Sequence, residues 1–189
     1  MVSETWRQLS LGQVVTLQRG YDLPHKERKP GTVPIISSSG SIDTHNESRA
    51  AGPGVVTGRY GTIGEVFFVS EDFWPLNTTL FVKDFKGNDP LFISFLLRTI
   101  DYHSYSGKSG VPGVNRNDLH EIGVSLPPLP EQRAIATALS GVDALIASLD
   151  RLIAKKRDIK QATMQQLLTG KMRLPGFSRE PKLGCKQTE

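Results

Sequence analysis

The sequence predicts an α+β protein: a mixed, strand-rich globular domain over residues 1–126, then one long α-helix over residues 127–170. Three observations carry that expectation. Short apolar runs separated by glycine and asparagine fill the first two thirds of the chain. Pro127, Pro128 and Pro130 then interrupt it, since proline is excluded from a helix interior but suits a first turn. Beyond them Ile135, Leu139, Val142, Ile146, Leu149 and Ile153 recur at steps of four and three, the period of one helix face.

Taken in order, residues 11–17 read as a short helix. The runs 33–36 (Val-Pro-Ile-Ile), 54–57, 63–69, 79–83 and 122–126 have the β-branched and aromatic content of strands. Residues 90–99 read as a helix, with Asp89 as its cap and Leu91, Phe92, Phe95 and Leu96 as its apolar face. The proline pair at 127–128 favours extended backbone and makes a stiff junction. Pro130 opens the long helix, with Glu131 in its positive first turn. A second row, Ala138, Leu145, Leu152 and Ile159, lies beside the first and widens the apolar stripe. Gly170 supplies the stop, and residues 171–189, without periodicity, read as a flexible tail. From Pro130 to Leu168 the helix would span about 58 Å. A domain of this size cannot cover such a stripe, which is built to meet another helix.

Composition narrows the class. Of 189 residues, 38% are hydrophobic and 22% charged, the balance of an ordinary soluble protein with one or two modules. No apolar run is long enough to span a membrane, and residues 1–6 lack a signal pattern, so no membrane role and a cytoplasmic location are expected. The single cysteine, Cys185, has no partner for a disulfide or a zinc site. Charge is uneven: residues 1–127 carry 12 Lys/Arg against 13 Asp/Glu, and residues 128–189 carry 11 against 6. A near-neutral first part makes no simple electrostatic case for nucleic acid. Any such contact there depends on local arrangement.

Three polar segments could carry chemistry. Gly58-Arg59-Tyr60-Gly61-Thr62-Ile63-Gly64 lies between two strand-like runs, and its glycines permit a tight turn from which Arg59, Tyr60 and Thr62 project. A plain hairpin with a surface arginine fits the same residues. The spacing is not the dinucleotide fingerprint, which needs a strand-then-helix setting. Gly107-Lys108-Ser109-Gly110 resembles the end of a phosphate loop, but the position that requires glycine is Tyr102, so that reading fails. What remains is a loop from Ser104 to Arg116 bearing Tyr105, Lys108, Ser109, Asn115 and Arg116, groups that donate to phosphates and base edges, or a solvated loop of the same content. Ser37 to Asn46 reads as a third polar loop, with Ser38, Ser39 and His45 as weaker candidates beside an ordinary turn. The four histidines have no metal-ligand spacing, and no nucleophile–base pair or carboxylate pair stands out. No catalytic role or resident cofactor is expected.

Together these residues resemble the specificity subunit of type I restriction-modification systems. The resemblance rests on Trp6, Ser10, Leu11 and Gly12 leading to Gly20; on Gly58–Gly64; on Trp74-Pro75-Leu76-Asn77-Thr78-Thr79; and on Leu126–Ala136, closed by Leu168-Thr169-Gly170-Lys171 and Arg173–Phe177. It implies a non-catalytic DNA-binding subunit whose target-recognition domain reads one half of a split double-stranded target. It also implies docking to a DNA adenine methyltransferase subunit and, through it, to a restriction subunit. S-adenosylmethionine, ATP and magnesium would then belong to those partners. Relatives of this kind carry two recognition domains and two long helices paired antiparallel, whereas this chain has one of each. It therefore resembles a half-length form, natural or truncated.

A homodimer follows as an expectation. Ile135, Leu139, Val142, Leu145, Ile146, Leu149, Leu152, Ile153 and Ile159 would form an antiparallel coiled coil with a second copy, each fully buried side chain contributing about 1.5–3 kcal/mol. Two heads would then read an inverted repeat with an unread spacer. Arg151, Lys155, Lys156, Arg157 and Lys160 either face the DNA over that spacer or form a solvated face. The rival expectation is a half-subunit that competes for methyltransferase or for a full-length specificity subunit without reading DNA.

Overall fold

A computed structural model describes residues 6–106 and 113–177. Lys108, Ser109 and Cys185 lie outside the described residues, as does most of the expected tail. The chain forms two compact units, Met1–Leu139 and Ser140–Glu189.

The first unit runs β1 (Arg7–Ser10), α1 (Leu11–Val14), β2 (Thr16–Arg19), β3 (Val33–Ser37), β4 (Gly40–His45), β5 (Gly54–Gly58), β6 (Val66–Val69), β7 (Trp74–Pro75), β8 (Thr79–Asp84), α2 (Pro90–Arg98), α3 (Arg116–His120) and β9 (Gly123–Leu126). The long helix α4 spans Leu129–Leu168. Three sheets result, with strand orders β1-β9, β2-β8-β5-β6 and β4-β3-β7. The first two are antiparallel throughout, and β3 pairs parallel with β7.

Capping and burial explain most of these elements. Asp89 caps α2 by accepting from the Phe92 N–H at 2.9 Å, and Pro90 follows at the first helical position, as the sequence predicts. Strand β5 is buried along its whole length, Thr57 included, because it has strands on both sides. The main core joins Leu11, Val14 and Leu17 to Val55, Leu80, Ile93, Leu97 and Leu119, and takes in Ala136 from the first turns of α4.

Two expectations change. The helix expected over residues 11–17 stops at Val14, and Thr16–Arg19 is strand, because Leu17, Gln18 and Arg19 pair with Val82, Phe81 and Leu80 of β8. The polar segment 37–46 is mostly strand β4, folded back on β3 with Ser37 opposite Gly40. Its backbone groups find their partners in β3, so polar side chains are no obstacle on the exposed face.

In the second unit α4 continues unbroken to Leu168, and Gly170 stops it with a φ of 71°. The Gly170 N–H donates to the Leu167 carbonyl and the Met172 N–H to the Gln166 carbonyl, capping otherwise unpaired groups. No helix among the described residues is long and apolar enough to cross a membrane.

Candidate nucleic-acid interface

The turn after β5 is pinned from both sides. Gly58 has no room for a side chain: a Cβ there would lie 1.7 Å from the Thr62 carbonyl oxygen. The Arg59 and Tyr60 N–H groups both donate to the Thr78 carbonyl, at 2.9 and 3.1 Å, so the Trp74–Thr79 segment forms the seat of the turn. The Arg59 carbonyl in turn accepts from the Val114 N–H at 3.0 Å. Gly61, at φ 77°, completes the turn where a side chain would be strained. Beneath it, Tyr102 packs under Gly64, and burial pushes its hydroxyl up to about 12, with Thr57 opposing weakly.

This backbone aims the side chains. The Arg59 guanidinium lies 4.4 Å from the Tyr60 ring centroid, a cation–π contact that limits its freedom. Tyr60 is held in turn by Gly113, where any Cβ would meet the ring at 2.0 Å. Asn115 caps α3 through its Oδ1, which accepts from the Asn117 N–H at 3.0 Å, and Arg116 is the first residue of that helix. Arg19 enters from the end of β2. Arg19, Arg59, Asn115 and Arg116 line one opening floored by Leu80. Among the described residues no carboxylate lines it; the Arg19–Asp22 ion pair, at 3.9 Å between exposed side chains, is weak. Three arginines line this opening, and guanidinium groups are chemically suited to anions and to electron-rich base edges.

The remaining sequence candidates divide. Ser38 adjoins the glycine turn: a Cβ on Gly61 would lie 3.3 Å from its Oγ. Ser39 is exposed and shares a 2.9 Å hydroxyl contact with Ser37, and Thr62 is exposed on the turn itself. His45 is buried, its Nδ1 accepting from the Lys29 N–H at 3.0 Å and its ring standing edge-on to Trp74, so its visible partners serve the fold. Among the described residues no group of three or more His, Cys, Asp or Glu is placed to hold a metal.

The family model for the type I restriction modification DNA specificity domain matches residues 3–156. The chain belongs to that family. Among curated relatives, the type I restriction enzyme MjaVIII specificity subunit of Methanocaldococcus jannaschii is 34% identical over 79 residues, 42% of this chain and 19% of that protein. The putative MjaX specificity subunit of the same organism is 34% identical over 83 residues, 44% and 19% respectively. The chain thus matches about a fifth of the length of these relatives. Solved structures share the fold. The S subunit of a type I system from M. genitalium superposes with a TM-score of 0.67 at 16% identity, over 87% of this chain and 46% of that one. The HsdS subunit from Thermoanaerobacter tengcongensis gives 0.64 at 16% identity, over 88% and 45%.

Within this specificity-domain fold, sequence reasoning missed Arg19. The alternating Thr16-Leu17-Gln18-Arg19 before Gly20 is a strand signal that could have placed it at a strand end. It also missed Gln132, which is buried at the start of α4. Of the stripe residues, Ile135 packs on the core of the first unit, whereas Leu139, Val142, Leu145, Ile146, Leu149, Leu152, Ile153 and Ile159 are each at least 40% exposed.

Proposed function

We propose that this chain reads one half of a split double-stranded DNA target and pairs through α4 with a second copy, so that two heads read an inverted repeat. The observation that carries the reading is the convergence of Arg19, Arg59 and Arg116 on one opening of the recognition fold. It answers the near-neutral charge of residues 1–127, since three cations gathered locally do what an overall basic face otherwise does. Arg59, fixed by Tyr60, is suited to a base edge, where a pre-set fork loses little entropy on binding. Arg19 and Arg116 are suited to phosphates. Asn115, Tyr60, Thr62, Ser38 and Ser39 adjoin them. Lys108 and Ser109 complete the proposed set on the strength of their side-chain chemistry, as groups that donate to phosphates and base edges.

Pairing is supported by the exposed stripe of α4. Eight large apolar side chains from Leu139 to Ile159 face water along one helix, a surface that a second copy of the same stripe would cover. Adenine methylation and restriction would belong to partner subunits that use S-adenosylmethionine, ATP and magnesium; this chain would supply recognition and no catalysis.

The test is a genome-wide map of adenine methylation in host cells with and without the gene. Loss of a split, inverted-repeat motif on deletion is the expected result. An unchanged map sinks the reading and favours a competitor that acts through α4 alone.

A further inference from the structure

The start of α4 contains an unusual arrangement of hydrogen bonds. Pro127, Pro128 and Pro130 have no N–H, so three of the four residues at 127–130 offer the fold carbonyls only. The holding falls to a side chain. Gln132 is 2% exposed, and its amide ties the Asn88–Asp89 pair to the proline segment. Its Oε1 accepts from the Asp89 N–H at 3.0 Å, and its Nε2 donates to Asn88 Oδ1 and to the Pro127 carbonyl, both at 2.9 Å. Asn88 passes the connection on by donating to the Val14 and Phe85 carbonyls, at 2.9 and 3.0 Å. Nearer the surface, Trp6 Nε1 donates to Glu131 Oε1 at 3.0 Å. Every member of this group lies within the first unit.

An apolar side chain would fill the same volume, but contacts of that kind resist sliding and rotation only weakly. Hydrogen bonds from one planar amide to three fixed groups define a direction. We infer that Gln132 is a positioning residue: it locks the first turn of α4 to the recognition fold and thereby sets the spacer length between the two half-sites. The inference rests on the split-target reading above.

Magnitudes show why such a lock matters. A helix of 40 residues spans about 60 Å, so a few degrees of play at its root displaces the far end by about 3 Å. One base pair moves a half-site by about 3.4 Å along the DNA axis and turns it by about 35°. Play of a few degrees is therefore enough to blur the distinction between adjacent spacer lengths.

The test compares the wild-type full chain, bound to its methyltransferase, with Gln132→Met and Gln132→Ala. Binding is measured to duplexes carrying the wild-type motif at its own spacer and at spacers one base pair longer and shorter. Because each variant is scored by the ratio of its own affinities, a reduced folded fraction does not alter the result. We expect the wild type to favour its own spacer strongly, and both variants to lose most of that preference, by roughly tenfold, while the half-site bases stay the same. Equal spacer discrimination in wild type and Gln132→Met overturns the positioning role and leaves the split-target reading intact. A wild-type methylation map without any split motif overturns both.

Discussion

Two stretches of one helix meet opposite fates. Over residues 129–136, α4 buries Gln132 and Ala136, and Ile135 packs on the core beside them. From Leu139 to Ile159 the same apolar period continues, yet every large side chain on it is exposed. The comparison teaches that a helical stripe states only that a face wants cover. The root is covered by its own chain and fixed by directed hydrogen bonds; the remainder stays exposed.

Substitutions can break that comparison, and the largest effect is expected on the open stripe. Leu145→Lys with Leu149→Lys places four charges in a symmetric pair. At about 1.5–3 kcal/mol for each lost burial, the loss is about 6 kcal/mol or more. Light scattering at micromolar concentration should then report a monomer where the wild type is expected to give a dimer, with the head's melting temperature unchanged. A monomeric wild type would remove the pairing from the proposed function. At the root the expectation reverses. Gln132→Ala leaves the Asp89 N–H and the Pro127 carbonyl buried without partners and should cost the head about 2–3 kcal/mol in urea unfolding. A change within a few tenths would show that water replaces the amide.

Smaller effects sharpen the role of the arginine opening. Arg59→Ala should weaken specific DNA binding by about 1–3 kcal/mol and relax the motif at one position. Arg19→Ala should weaken all sequences alike and lower the salt dependence of binding by about one contact. Identical behaviour of the two variants would contradict the division into base and phosphate contacts. The smallest effect concerns pH. His120 Nε2 accepts from the Leu17 N–H at 2.9 Å, and burial, ahead of the Arg116 and Lys86 charges, holds the ring below its usual 6.5. The folded chain therefore favours the neutral ring, so stability present above 6.5 is lost as pH falls from there through the folded value. Urea midpoints should decline over that interval, and His120→Gln should flatten the slope.

The legible parts of the fold were those governed by local rules. Asp89 before Pro90 marks a helix start through capping alone, and the steps from Ile135 to Ile153 mark a helix without reference to any other segment. Strand β4 was illegible because Gly40–His45 earns its strand by pairing with β3, while its side chains read as a loop. The same holds for Thr16–Arg19, where pairing with β8 ends the expected helix at Val14. For the candidate site, the glycine turn singled out Arg59, and the loop composition singled out Asn115 and Arg116. That these residues share one opening with Arg19 depends on four segments far apart in the chain.

By itself, then, the sequence determined the strand-rich head, the proline break, the long helix and its stop, because each depends on backbone preferences or on a period within a few turns. Tertiary structure alone decided which cations converge, which part of the stripe is covered and which amide locks the helix root. Those outcomes turn on distances between residues such as Arg19 and Arg116, or Gln132 and Asn88, that only the packed chain brings together.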